Sequence, residues 1–342
     1  MSENFSLKEL LPKIKPDNHY LSIPSANYDS YIEDLNKIIN KLKAVTTEYK
    51  AKELIDKKLQ FNTKKFNEAQ FIQTACELTS MNELLSRNDI SFNYEEQVTP
   101  PQDIDFSIKI KNRKINVEVK CPSYQPENKE DITLKSVGRI KDRVALDNTI
   151  KKISDIIEGS GKKICIEKSM DNKLKDYLKS AQRKLKNSNE SDTNILIVCC
   201  DNAIDMMRWF LYLHGSQGLF TENSFVDRIE YNRVDYVLLT NIFHRHNKYF
   251  DNTIITDHWK LSKSFNLLYP NKLSSRNIEH KDCNGDLDFV SDLFPNYSRQ
   301  FVEYLNNKND DPTENSYHIM DIALFSDKYR DNGIFHFKES KG

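Results

Sequence analysis

The sequence predicts a mixed α/β fold, and three features of its middle part carry this prediction. Residues 105–120 have the pattern of two antiparallel strands joined by a short turn. A helix is predicted before this hairpin, over residues 66–85, with a further strand near residues 92–98. Two amphipathic helices follow the hairpin, and then residues 194–200 form a continuous apolar run typical of a strand buried on both faces. The resulting order is αβββαβ, in which a crossover connection makes the last strand parallel to the hairpin.

Side chains alternate between the two faces along the predicted hairpin, because successive residues of a strand point in opposite directions. The turn covers residues 111–114, where Asn112 suits a left-handed position. One face is apolar and comprises Phe106, Ile108, Ile110, Ile115, Val117 and Val119. The other face therefore gathers two carboxylates, Asp105 and Glu118, with one lysine, Lys120.

This arrangement resembles the active site of the PD-(D/E)XK nuclease superfamily, which has the restriction-endonuclease-like fold. The family pattern is an Asp at the start of one strand, a hairpin turn, and (Asp/Glu)-x-Lys on the next strand. In this sequence the corresponding residues are Asp105, Glu118 and Lys120, and the resemblance covers roughly residues 64–200. The usual Pro-Asp pair of the family is replaced here by the longer segment of residues 101–105. Asp103 points to the same face as Asp105, so it is an alternative metal ligand. We prefer Asp105 because Phe106 begins the alternating strand directly after it.

The resemblance implies a Mg²⁺-dependent nuclease that hydrolyses phosphodiester bonds in DNA, with Mn²⁺ as a substitute ion. It implies metal ligands at Asp105, Glu118 and the backbone carbonyl of Val119, and a catalytic Lys120 that acts on the attacking water or on the transition state. A helix before the hairpin often adds a Glu in this family, and Glu68 is the best candidate, with Glu77 further along the same helix. The family also points to bacterial antiphage defence or restriction. Oxygen ligands of this kind suit Mg²⁺.

Positive charge is concentrated in one segment although the whole chain has a formal net charge of −1. Between Leu134 and Lys186 there are fifteen Lys and Arg against seven Asp and Glu. A basic segment of this kind is typical of a phosphate-binding surface, while a solvated helix face is the alternative. The candidate nucleic-acid contacts are Lys173, Lys175, Lys179, Arg183, Lys184 and Lys186.

The chain divides into three predicted regions. Residues 1–60 are expected to form a helical N-terminal region, because apolar residues recur at helical spacing from Tyr28 to Leu42. Residues 61–245 hold the nuclease-like core with its basic helical insertion. Residues 246–342 mix short strands and helices, and form either an elaboration of the core or a small subdomain.

Several classes of protein are disfavoured by composition. The six cysteines form no Cys-x-x-Cys pair, which indicates reduced thiols in a cytoplasmic protein rather than disulfides or a zinc ribbon. No stretch has the apolar length of a membrane span, and the N-terminus lacks the pattern of a secretory signal. The expected partners are DNA, with RNA as an alternative, a helicase or ATPase encoded nearby, and a second copy in a homodimer. The rival hypothesis is a catalytically silent nuclease-like protein that binds nucleic acid or a partner.

Overall fold

The structure is a computed structural model of the chain. It describes residues 6–16, 18–122, 132–136, 143–159, 164–168, 170–189, 191–215, 217–251, 254–279, 283–308, 318–328 and 335.

The described strands form two sheets. Their bounds are β1 (Ile90–Tyr94), β2 (Phe106–Ile110), β3 (Arg113–Lys120), β4 (Ile132–Ser136), β5 (Ile164–Lys168), β6 (Asp192–Cys199), β7 (Tyr236–Thr240) and β8 (Asn266–Pro270). The larger sheet has six strands in the order β1-β2-β3-β6-β7-β8. Its strands β1, β2 and β3 are mutually antiparallel, β3, β6 and β7 are parallel, and β8 is antiparallel to β7. The predicted mixed α/β fold is therefore confirmed, including the parallel pairing of the hairpin with the apolar strand.

The described helices cover both faces of this sheet. Their bounds are α1 (Tyr28–Val45), α2 (Glu48–Glu53) with a π-helical turn over Leu54–Lys58, α3 (Glu68–Asn82), α4 (Arg143–Glu158), α5 (Met170–Lys184), α6 (Ala203–His214), α7 (Ile242–His246), α8 (Ser275–Glu279), α9 (Cys283–Leu293), α10 (Ser298–Lys308) and α11 (Asp321–Ser326). None of the helices in the described ranges combines the length and the apolarity needed to cross a membrane.

Alternation along β3 and β6 separates the hydrophobic core into two clusters. The first contains Val117 and Ile197 and packs against α1 and α3. The second contains Leu196 and Val198 and packs against α5 and α6. Strand β6 is apolar on both faces because it is central and is covered on each side, as its sequence predicts. Residues from all three predicted regions of the chain contribute to these clusters.

The hairpin turn differs from the sequence prediction in one detail. The pair Ile110↔Arg113 closes a two-residue loop formed by Lys111 and Asn112. Lys111, with φ of 52°, occupies the left-handed position, whereas the sequence pointed to Asn112. The two-residue loop determines which of its residues adopts the left-handed conformation. The local preference of Asn for that conformation does not decide the position.

The segment between β3 and β6 contains structure that the sequence did not predict. Strands β4 and β5 pair in parallel as a separate two-stranded sheet. Helix α5 then lies across the larger sheet and buries Leu174, Leu178, Ala181 and Leu185 in the second cluster. This position of α5 determines what lies above the polar face of β3.

Candidate active site

Asp105 is fixed to the strand that carries the other candidate residues. It directly precedes β2, and continuing the register by one residue beyond the pair Phe106↔Val117 puts it opposite Glu118. Its Oδ2 accepts a hydrogen bond of 2.6 Å from the backbone N–H of Val119. Directly opposite residues on one face of an antiparallel pair have Cβ atoms roughly 5 Å apart. The structure therefore brings Asp105 and Glu118 together, as alternation along the hairpin predicts.

Glu118 is a completely buried carboxylate held between two ammonium groups. Its side chain has 0% exposure, and its Oε1 lies 2.5 Å from Nζ of Lys120. The same oxygen lies 2.6 Å from Nζ of Lys184, near the end of α5. Glu118 is buried because its neighbour across the parallel pair, Leu196, belongs to the cluster that α5 covers. Burying an isolated carboxylate is costly, and the two lysines offset this cost.

Both oxygens of Glu118 are buried, and neither accepts a hydrogen bond of regular geometry from the described residues. The two ammonium contacts are closest to Oε1, which leaves Oε2 as the more open acceptor. An unsatisfied buried acceptor is costly, and a ligand that offers positive charge would satisfy it. Within the cluster, Oε2 is the acceptor best placed to contact a bound cation.

Helix α3 completes the cluster with a third acid, Glu77, which is only 6% exposed. The Gln73 amide, one turn earlier on the helix, donates 2.9 Å to Oε1 of Glu77 and 3.2 Å to the carbonyl of Val119. Its own carbonyl accepts the N–H of Cys121 at 3.0 Å. Gln73 therefore links α3 to the end of β3 on both sides of Lys120.

Electrostatics couple these groups to one another. Burial raises the pKa of Asp105 well above its ordinary value, and the negative charges of Glu77 and Glu118 add to this effect, while Lys120 and the Val119 N–H oppose it. Burial works against the charged form of Lys120, but the attraction of Glu118 and Asp105 prevails and raises its pKa. The site therefore favours an ammonium at Lys120 and a bound proton or cation at Asp105.

A further lysine, Lys58, connects this cluster to the end of β1. Its Nζ lies 3.4 Å from Oε2 of Glu77 and 2.6 Å from Oε1 of Glu95. The backbone N–H of Glu95 in turn donates 3.0 Å to the carbonyl of Asp105. The acids and lysines thus alternate through the site, which lowers the cost of gathering several carboxylates in a small volume.

Glu68 lies away from this cluster. It is the exposed first residue of α3, and its carboxylate accepts a hydrogen bond from the hydroxyl of Tyr20. Glu77 lies nine positions further along the helix, which corresponds to roughly 13.5 Å along the helix axis. The acid that α3 presents to Asp105 is therefore Glu77, and not the predicted Glu68.

Two further predicted metal ligands are Asp103, the alternative to Asp105, and the backbone carbonyl of Val119. Asp103 is half-buried, and its Oδ1 accepts no hydrogen bond from the described part of the chain. Asp105 is the acid that bonds to β3, so the structure favours Asp105 over Asp103. The carbonyl of Val119 lies at the cluster but is engaged by Gln73.

The predicted basic residues of the α5 region divide into several environments. Lys184 enters the carboxylate cluster, Lys175 is buried, and Lys179 forms an ion pair with Glu230. Arg183 and Lys186 are exposed beside Lys184, while Lys173 is half-buried. The exposed positive charge is thus concentrated at the C-terminal end of α5 and just beyond it, next to the cluster.

A polar groove of 240 Å³ lies near this end of α5. One wall is formed by Asn116, which precedes Glu118 by two residues and so shares its face of β3. The Asn116 amide donates 2.8 Å to Asn194, while its Oδ1 is buried without a partner among the described residues. The other lining residues are Glu96, Gln97, Val98, Lys114, Lys186, Asn187, Ser188, Asp192 and Asn194.

Sequence reasoning missed Gln73 and did not assign Lys184 and Glu77 to this cluster. Gln73 and Glu77 lie four residues apart on the inner side of α3, a spacing that puts them on one face. The four-residue spacing predicts that Gln73 and Glu77 lie side by side, but it does not predict that they lie above β3. No local signal singles out Lys184 from its basic neighbours.

The donor set fits a hard divalent cation. Oxygen atoms of Asp105 and Glu118 converge on one side of the hairpin, and Glu77 lies close enough to raise the pKa of Asp105. Mg²⁺ prefers oxygen ligands and is usually held by one or two carboxylates with water. Oε2 of Glu118, which accepts no hydrogen bond from the described residues, is an acceptor that such an ion could use.

No protein-family model, no curated protein and no solved structure matches this chain.

Proposed function

We propose that the chain is a cytoplasmic, Mg²⁺-dependent nuclease that hydrolyses phosphodiester bonds in DNA, with a restriction-endonuclease-like core. The observation that carries this proposal is that Asp105, fixed by the Val119 N–H, lies opposite the buried carboxylate of Glu118, which contacts the Lys120 ammonium. The order of α3, β1, β2, β3, α5 and β6 supports it, because these elements follow the αβββαβ pattern, with β4, α4 and β5 inserted between β3 and α5. Antiphage defence or restriction is the setting that the family resemblance suggests.

Mg²⁺, when bound, supplies positive charge to the phosphoryl and leaving oxygens of the substrate. Asp105 and Glu118 would hold it through carboxylate oxygens, with the Val119 carbonyl as a further ligand. The Val119 N–H keeps the Asp105 carboxylate oriented toward Glu118. A preformed set of ligands of this kind needs little rearrangement when the ion and the phosphate arrive.

The electrostatics of the site favour one of the two roles open to Lys120. Because Glu118 and Asp105 raise its pKa, its ammonium form is favoured. An ammonium orients the attacking water and stabilises negative charge on the phosphoryl group, but it does not accept a proton. Lys184, on the same Glu118 oxygen, adds a second positive charge.

The exposed cations next to the cluster support a nucleic-acid substrate. Arg183 and Lys186 flank Lys184, and Lys186 also lines the polar groove that continues the face of Glu118. Contacts of this kind grip the phosphate backbone without reading sequence.

Cleavage assays test the proposal. The purified chain is incubated with plasmid DNA, single-stranded DNA and RNA, with Mg²⁺, Mn²⁺ or a chelator. We expect metal-dependent cleavage of DNA, and a loss of about 100-fold or more in Asp105→Asn, Glu118→Gln and Lys120→Met. Lys109→Met, an exposed residue of the same hairpin, is the matched control and should keep full activity. Cleavage of RNA alone would assign the same site to an RNA nuclease.

A second candidate is a silent nuclease-like protein that binds nucleic acid or a partner. The complete burial of Glu118 and its neutralisation by two lysines favour it, because an ion-pair cluster with a purely structural role has the same contacts. Calorimetric titration with Mg²⁺ separates the two. A silent protein binds DNA without binding Mg²⁺ at Glu118, so Glu118→Gln leaves its metal titration unchanged and no substrate is cut.

A further inference from the structure

Three cysteine thiols from separate elements meet next to the candidate active site. Cys76 lies on α3, Cys121 directly follows β3, and Cys199 is the last residue of β6. Their Sγ atoms all lie within 4.8 Å of one another. All three are free thiols; Cys76 and Cys199 are buried, whereas Cys121 is half-buried.

The sheet register explains why these thiols meet. Lys120 pairs with Val198 in the parallel ladder, so continuing by one residue puts Cys121 beside Cys199. Neighbouring strands lie about 4.8 Å apart, and both residues point to the face that also carries Val119 and Ile197. Helix α3 packs on that face and directs Cys76 between them.

We infer that Cys76, Cys121 and Cys199 form a binding site for a thiophilic divalent metal ion such as Zn²⁺. Thiolates bind Zn²⁺ at about 2.3 Å, which corresponds to sulfur atoms roughly 3.8 Å apart in a tetrahedral site. Side-chain adjustments of about 1 Å or less reach this geometry from the observed spacing. Binding exchanges the thiol protons for the metal ion and requires no oxidant.

Cys121 is half-buried, so the site lies close to the surface at this residue. Three thiolates leave a fourth position of a tetrahedral ion for water or another small ligand. A metal ion at this position would tie α3 to the ends of β3 and β6. Cys121 is the chain neighbour of Lys120, and Cys76 is the chain neighbour of Glu77. The thiol site is thus built on the same two elements that position these residues, yet it shares no ligand with the oxygen site.

Co²⁺ is a suitable probe, because its thiolate complexes absorb in the near ultraviolet. The full chain is reduced, treated with a chelator, desalted and titrated with Co²⁺, and Zn²⁺ is then added in competition. We expect one equivalent of Co²⁺ to bind with a thiolate charge-transfer band that Zn²⁺ abolishes. Cys121→Ser should weaken binding by about 100-fold or more, and so should Cys76→Ser and Cys199→Ser.

Two controls make the outcome decisive. Cys200→Ser removes the buried thiol that directly follows Cys199 but belongs to the second core cluster. This variant should therefore leave the thiolate band intact. Glu118→Gln should also leave it intact, because the oxygen site is separate. Cys121→Ser changes the half-buried thiol, so it keeps the test valid if the variants at the two buried positions fail to fold.

The inference is overturned if the reduced protein gives no thiolate band, or if the three serine variants keep the band of the original chain. It is equally overturned if two of these cysteines form a disulfide that persists after mild reduction. Mass spectrometry of the protein, first as purified under air and then after mild reduction, detects this disulfide.

Discussion

The ammonium of Lys184 lies 2.6 Å from Oε1 of Glu118, which joins the basic helix α5 to the buried carboxylate of the hairpin. Lys120 approaches the same oxygen from within β3 at 2.5 Å. One buried carboxylate is therefore neutralised by two cations that arrive from different parts of the chain. This relationship gives α5 a role inside the candidate site, in addition to any contact with nucleic acid.

Replacing Lys184 should destabilise the protein. In Lys184→Met the Glu118 carboxylate stays buried with Lys120 as its remaining ammonium partner, and we expect a loss of about 1–3 kcal/mol in the free energy of unfolding. Urea denaturation at neutral pH measures this loss. The control is Arg183→Met, the exposed neighbour, which should change stability by about 0.5 kcal/mol or less. Equal stabilities for the two variants would contradict the assignment of Lys184 to the cluster.

Glu77 and Glu68 provide a direct comparison of two acids on one helix. If the proposed nuclease function is correct, Glu77→Gln should reduce the cleavage rate by about 10-fold to 100-fold and raise the Mg²⁺ concentration needed for half-maximal activity. Glutamine at this position still accepts the hydrogen bond from Gln73, so the effect reports the lost charge. Glu68→Gln, at the exposed start of α3, should cleave at nearly the original rate. A larger loss of cleavage rate in Glu68→Gln than in Glu77→Gln would show that Glu68 is the functional acid of α3, as the sequence predicted.

Gln73 should hold the end of β3 in place, because its amide bonds to the backbone on both sides of Lys120. Gln73→Leu leaves the Cys121 N–H and the Val119 carbonyl without this partner, at a cost of about 1–3 kcal/mol. Hydrogen exchange is the sharper measurement, since protection of the Cys121 amide should fall. In Gln70→Leu, one turn earlier on α3, that amide should exchange as in the unchanged chain. If both variants protect it equally, the Gln73 contact does not position this strand end.

Much of this arrangement follows from period-two alternation in the sequence. Alternation along β3 puts Glu118 and Lys120 on one face, and the apolar run of β6 predicts a central strand. The positions of Lys184 and Glu77 could not be predicted in this way, because they depend on how α5 and α3 cross the sheet. Crossing geometry is set by side-chain packing between elements distant in sequence. The sequence favoured Glu68 as the acid of this helix, whereas the position of α3 brings Glu77 to the cluster. The left-handed Lys111 has a similar origin, since the two-residue loop fixes its conformation.

The raised pKa of Asp105 predicts how stability depends on pH in the metal-free protein. The folded state binds this proton more tightly than the unfolded state, because burial and then Glu77 and Glu118 raise the pKa in the fold. The stability that this group contributes is therefore complete below about pH 4, the pKa of an unperturbed Asp, and is lost as the pH rises through the folded pKa. Asp105→Asn removes this titration while its side-chain oxygen still accepts the N–H of Val119.

We therefore expect Asp105→Asn to gain stability relative to the unchanged chain as the pH rises above about 4, by at most about 1.4 kcal/mol per pH unit. Urea denaturation in a chelator, at several pH values, measures this difference. Asp103→Asn is the matched control, because Asp103 lies on the same approach to β2 but does not bond to β3. Adding Mg²⁺ at neutral pH should shift the difference back in favour of the unchanged chain, since a cation replaces the proton only where the carboxylate is present. A difference that stays constant with pH would show that the proton on Asp105 does not contribute to stability.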